Sequence, residues 1–296
     1  MMVQGSLSRQ FIEGTTVRWI GVAALALLTA GCAAAPLEMS GALRDYTNLT
    51  PSNGTVTKSL LRVSKDEVLA ARTVKIAETR FAPRAYRGFK DGERSLVANA
   101  INRELCDRLA ERFTIVAPAE PADLTVQAVV THATPTDVTA AGASRVAQLA
   151  KTIALPGVPV PVPRLPVGLG SLSVEAEAIG PEGAQKAAMV WARGASSLTQ
   201  ARMSNEGDAY DLAAEFGADF AKLLVTGATP FGGVPQLPTI ETIRTRMGGA
   251  PKYTACESYG RFPGLAGVVG GGLGLPPNMA DKGAPTQPSS VAEASR

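Results

Sequence analysis

The sequence predicts an α+β fold: a mixed sheet of about four to five strands packed by two or three helices, followed by a disordered Gly/Pro-rich C-terminal tail. Three observations carry this. Apolar residues recur at three- and four-residue spacing from Asp91 to about Arg112 and again from Asp208 to Thr226, the pattern of helices with one buried face. Apolar and polar residues alternate from Leu172 to Ala178, the period of a strand. From Gly227 on, Gly and Pro make up 22 of 70 residues, which reaches the roughly 25–30% typical of disordered chains.

In chain order, residues 1–31 read as a targeting segment and 32–60 as a small, polar tether. Residues 61–226 form the compact domain, and 227–296 the tail. A first strand is predicted over Thr73–Phe81. Asp91 is the candidate N-cap of the first long helix, whose inner face is Leu96, Val97, Ala100, Ile101, Leu105 and Leu109, with its Lys and Arg side chains turned to water. Phe113–Ala117 reads as a short strand, and Leu124–Ala133 as a longer one with Leu124, Val126, Ala128 and Val130 on one face. A helix is expected over Ser144–Ala154, with Ser144 as its cap and Val146, Leu149 and Ile153 in phase. The run from Pro156 to Gly170 holds too much proline for a helix or central strand. A hairpin then pairs Leu172–Ala178 with Gln185–Ser196 across Pro181-Glu182-Gly183. The last helix stops at Gly227.

The N-terminal segment has the composition of an export signal. Arg9 and Arg18 precede the uncharged run Trp19–Ala30, which is shorter than the ~20 residues that span a bilayer. Leu28-Thr29-Ala30-Gly31-Cys32 follows and resembles the lipobox of bacterial lipoproteins. That resemblance implies cleavage before Cys32 and lipidation, palmitate included, on its thiol. Ala33, where aspartate would resemble an inner-membrane retention signal, implies an outer-membrane destination facing the periplasm.

Without residues 1–31 the formal charge falls from +3 to +2, and no dense basic run marks a nucleic-acid partner. Beside Cys32 the chain has Cys106 and Cys256. In an oxidising compartment these can pair, but one falls in a helix and the other in the tail. A buried free thiol at Cys106 is the preferred reading.

Three segments carry a wider resemblance: Ser40-Gly41-Ala42-Leu43-Arg44-Asp45-Tyr46, Leu172-Ser173-Val174-Glu175-Ala176-Glu177, and the helix start Gly207-Asp208-Ala209. Together with the lipobox they resemble a bacterial lipoprotein family catalogued as a domain of unknown function, number 3313. The similarity runs to about Thr226 and implies no activity.

Chemistry-bearing patterns are sparse. His132 is the single histidine; a Ser-His-Asp triad would have to use it, and it reads as structural. Glu175 and Glu177 lie about 7 Å apart on one strand face, a spacing open to glycosidase chemistry, but their alternation with apolar residues sends them to solvent. No metal or cofactor site is expected. The proline-rich segment is the candidate partner contact, through Val158, Val160, Val162, Arg164 and Leu165. The function expected is therefore a non-enzymatic accessory, anchored to the membrane through Cys32, that contacts another envelope protein or the cell wall. The alternatives are a wall-modifying hydrolase using Glu175 and a carrier of an apolar ligand.

Overall fold

The computed structural model of the protein describes residues 33–85, 87–154, 163–233 and 238–284. Its strands are β1 (Thr50–Pro51), β2 (Lys58–Val63), β3 (Thr73–Ile76), β4 (Arg80–Phe81), β5 (Thr114–Ile115), β6 (Leu124–Thr134), β7 (Ser171–Ile179) and β8 (Gln185–Gly194). Its helices are α1 (Lys65–Ala70), α2 (Asp91–Leu109), α3 (Val138–Ala154), α4 (Gly207–Thr226), α5 (Ile240–Arg246) and α6 (Gly264–Leu273). The α+β class is as expected, and the sheet is larger: among the described residues it has eight strands in the order β1-β2-β8-β7-β6-β3-β5, with β4 also on β6. β2, β8, β7 and β6 pair antiparallel, whereas β3 and β4 run parallel to β6.

One sheet face and the helices make the core. Val126, Ala128 and Val130 of β6, Leu172, Val174 and Ala176 of β7, and Met189 and Trp191 of β8 point at α2 and α4. Trp191 meets Phe216 edge to face, with centroids 5.6 Å apart, and its indole N–H donates to Asp219 Oδ2 at 2.9 Å. Aromatic burial of this kind contributes about 0.5–1.5 kcal/mol per pair beyond its area. α2 begins at Asp91 itself, so its cap is Lys90, one residue before the expected one: Lys90 N–H donates to Glu93 Oε2 at 2.8 Å. Its inner face is as read, but Arg103 and Glu104 are buried rather than turned to water. α4 ends at Gly227, whose left-handed φ of 61° lets its N–H reach Leu223 O.

Two boundaries change. The tether of 32–60 is not free over its described part. Residues 33–49 lie along the other sheet face, where Leu37, Leu43, Tyr46 and Leu49 cover Ala188 and Val190, and β1 and β2 extend the sheet. Over its described part the expected disordered tail is folded, because 238–284 hold α5, α6 and two short 3-10 turns, Thr254–Tyr259 and Pro277–Met279. The expected free thiol at Cys106 is instead bonded to Cys256, with Cα atoms 5.8 Å apart. Tyr259 Oη donates to Ile76 O at 2.7 Å, and Asp281 meets the buried Arg103. These anchors supply the ordering free energy that composition alone withholds.

Candidate functional site

Glu175 and Glu177 alternate with the core residues of β7, so they occupy the opposite face, as the pattern requires. They do not reach solvent: their exposures are 1% and 2%. Glu175 accepts from Ser40 N–H, from Ala42 N–H at 3.0 Å and from the Tyr46 hydroxyl. Glu177 accepts from Arg44 N–H at 3.0 Å, Gln127 Nε2 at 3.2 Å and Gln185 Nε2 at 2.6 Å. Ser173 Oγ donates to Pro36 O at 2.7 Å. The Ser40–Tyr46 and Leu172–Glu177 motifs are therefore two halves of one clasp. A hydrolase built on these carboxylates has no room for a sugar, because the main chain of residues 40–44 fills that space.

His132 follows a register shift in β6 between Val130 and His132. Its Nε2 lies 3.0 Å from Thr134 Oγ1, and partial burial lowers its pKa, against a smaller opposite effect of Glu38. Thr134 Oγ1 in turn accepts from Ser171 Oγ at 3.0 Å, so the imidazole ends a short polar chain across β6 and β7.

Of the candidate contact residues, Val158, Val160 and Val162, with Cys32, lie outside the described residues. Leu165 is exposed. Arg164 turns inward instead of outward, because its guanidinium finds a carboxylate in the core. It is bound bidentately by Asp208 at 2.7 and 3.0 Å, while Asp208 also accepts from Gly170 N–H. This buried pair fastens the end of the proline-rich segment to the start of α4.

Sequence reasoning missed a second polar cluster, between α2 and the C-terminal residues. Arg103 pairs with Asp281, and its Nη2 donates to the Tyr210 hydroxyl at 3.1 Å. Glu104 pairs with Arg108 and Arg246. Arg103 and Arg246 each lie 5.2 Å from the Phe262 ring centroid, so two guanidinium groups share one aromatic ring. Burial, reinforced by Glu104, raises Asp107 from about 3.8 to about 6. A cavity of about 490 Å³ opens here, lined by Arg103, Asp107, Thr242, Lys252, Phe262 and the Cys106–Cys256 bond. Charges on every side of α2 were the available signal, and they do not reveal which faces a C-terminal segment will cover. Among the described residues no group of three or more His, Cys, Asp or Glu could hold a metal ion, and no helix is long and apolar enough to cross a membrane.

An α+β domain with a mixed sheet covered on both faces and a clasped N-terminal strap is the class this geometry defines. The chain belongs to the family described as "Protein of unknown function (DUF3313)", whose model matches residues 38–220. That span holds the strap from Glu38, both clasp carboxylates and most of α4, and it ends before α5 and α6. No curated protein matches the chain. Among solved structures, the chain is similar to the PelC dodecamer from Paraburkholderia phytofirmans, at 11% identity over 57% of this chain and 97% of that one, with a TM-score of 0.30. A single-substitution variant of the same PelC matches at 12% identity over 60% of this chain and 96% of that one, with a TM-score of 0.27.

Proposed function

We propose that the chain is an envelope lipoprotein, held by lipid on Cys32 to the periplasmic side of the outer membrane. Its folded part serves as a non-enzymatic accessory that contacts another envelope protein or the cell wall. The observation that carries this reading is the Cys106–Cys256 bond, since disulfides persist in exported proteins and are rare in reducing cytoplasm. It supports export independently of the Leu28–Cys32 motif. The clasp supports the non-enzymatic half, because it occupies Glu175 and Glu177, the carboxylates the sequence offered for hydrolysis. Palmitate labelling of intact cells tests the anchor: the natural chain should take up label and Cys32→Ala should not. Uptake by Cys32→Ala sinks the reading. In-cell crosslinking beside a form lacking Val158 to Val167 tests the partner, which should be captured by the first form and lost with the second.

Ligand carriage is the second reading, and the 490 Å³ cavity favours it. Arg103, Asp107 and Lys252 share its wall with Ala110, Pro251, Phe262 and the disulfide, so the ligand would carry both apolar and charged groups.

A further inference from the structure

Two neighbouring helices are built inside out. On α3 the buried residues are Ala141 and Ser144, whereas Val146, Leu149 and Ile153 are 69%, 62% and 74% exposed. On α6 the buried residues are Gly264, Gly267 and Gly270, while Val268 and Val269 face out at 68% and 57%. The 10 residues of α6 carry no charge, and α3 carries Arg145 and Lys151 without a single acid. A water-facing surface helix has the reverse arrangement.

Hydrogen bonds hold these helices to one end of the sheet. Arg145 of α3 donates to Ala201 O and to Gly271 O and Gly272 O of α6, at 3.0–3.1 Å. Ser144 Oγ accepts from Leu165 N–H, and Arg164 N–H donates to Ser197 O at 2.7 Å. Ala195, two residues earlier, accepts from Ala33 N–H at 3.1 Å. Leu198, three residues beyond Ala195, is 74% exposed. Ala33 is pressed so closely onto β8 that a Cβ on Gly194 would lie 1.8 Å from its carbonyl oxygen. The chain thus leaves the fold at the same end that carries the two apolar helices, and Cys32 is one peptide bond away.

We infer that α3, α6 and Leu198 form a membrane-apposed surface that rests on the leaflet holding the Cys32 lipid. The inference rests on the anchor proposed above and adds an orientation to it. An interfacial helix sinks its apolar side about 5–10 Å into the headgroup boundary, and the exposed Val146, Leu149 and Ile153 give α3 such a side. Attachment at Ala33, one residue after Cys32, leaves little free chain between the lipid and the domain, so contact is made at low entropic cost.

The test uses the full exported chain, reconstituted in vesicles of phosphatidylethanolamine and phosphatidylglycerol. Single cysteines replace Leu149, Leu198 or, at the β7–β8 turn, Glu182, and each carries an environment-sensitive fluorophore. Flotation reports anchoring, and quenching by nitroxide-bearing lipids reports contact. The expected result is a floating protein whose Leu149→Cys and Leu198→Cys labels lose most of their emission while the Glu182→Cys label keeps it. Floating protein with all three labels unquenched overturns the surface and leaves the anchor standing. Labels at 149 and 198 that are shielded from water and crosslink between copies, without lipid quenching, assign the face to a second copy and also overturn it. Protein that stays at the bottom of the gradient overturns the anchor and the inference together.

Discussion

The Tyr46 hydroxyl accepts from the amides of Gly41 and Leu43, at 2.8 and 3.1 Å, and donates its own proton to Glu175. One side chain thereby closes the 40–46 turn on itself and ties it to the middle of β7. Burial, followed by the bond to Glu175, raises the tyrosine pKa, so the proton stays on the phenol. A buried carboxylate with three donors is stable only while the strap supplies them.

Glu175→Gln should therefore loosen the strap by about 2 kcal/mol, because an amide nitrogen replaces an acceptor oxygen among donors. Faster amide hydrogen exchange over residues 40–46, with α2 and α4 unchanged, is the expected readout. Tyr46→Phe should act in the same direction with a smaller effect.

Breaking the Arg164–Asp208 pair on one side should cost about 3–5 kcal/mol, since each single replacement leaves a buried charge without its partner. The two side chains are only 2% and 3% exposed. Denaturant unfolding of Asp208→Asn checks this, and a loss below 1 kcal/mol would show that the site lets in water.

The Cys106–Cys256 bond closes a loop of 150 residues. Cys256→Ser should lower stability by about 2–5 kcal/mol and release the arm that carries α5 and α6. Limited proteolysis should then cut between 238 and 284 while 61–226 stays whole. Reductant should reproduce the effect in the natural chain and leave the variant unaffected.

Asp107 supplies the pH prediction. An acid whose folded pKa is raised binds its proton more tightly in the folded state. Its contribution to stability is full below about pH 4 and is lost as the pH rises through about 6. Asp107→Asn should stabilise the protein by about 1–2 kcal/mol at neutral pH, after allowance for screening near the cavity mouth. The gain should vanish near pH 4, and chemical denaturation at the two pH values measures it.

Periodicity located the parts of the fold that make their own case locally. α2, α4, β6 and the β7–β8 hairpin lie within a few residues of their expected bounds, and the stop at Gly227 fell where a left-handed residue was needed. What escaped depended on distant chain. The alternation of β7 correctly set Glu175 against Val174, but it cannot tell solvent from a strap that arrives from 130 residues upstream. α3 shows the converse: Val146, Leu149 and Ile153 were read in phase, yet the in-phase side faces outward. The composition reading of 227–296 treated the segment as a free polymer, whereas Cys256 and Asp281 tie it to α2. The Arg103–Asp281 and Glu104–Arg246 pairs were illegible for the same reason, since each joins residues more than 140 positions apart.

The strap has a mechanical consequence. Its attachments follow one another from Ala33 through Pro36, Ser40 and Ala42 to Arg44 and Tyr46, beginning at the end nearest Cys32. A load applied to the chain before Ala33 falls on the Ala195 bond alone, then on the next, and never on all of them at once. Bonds loaded one at a time should yield at lower force than the same bonds loaded together. Successive detachment would add reach in steps, up to about 3.3–3.6 Å for each residue freed, while the helical core stays folded. Tension on the N-terminal end of the strap is thereby converted into extension, with the core left intact.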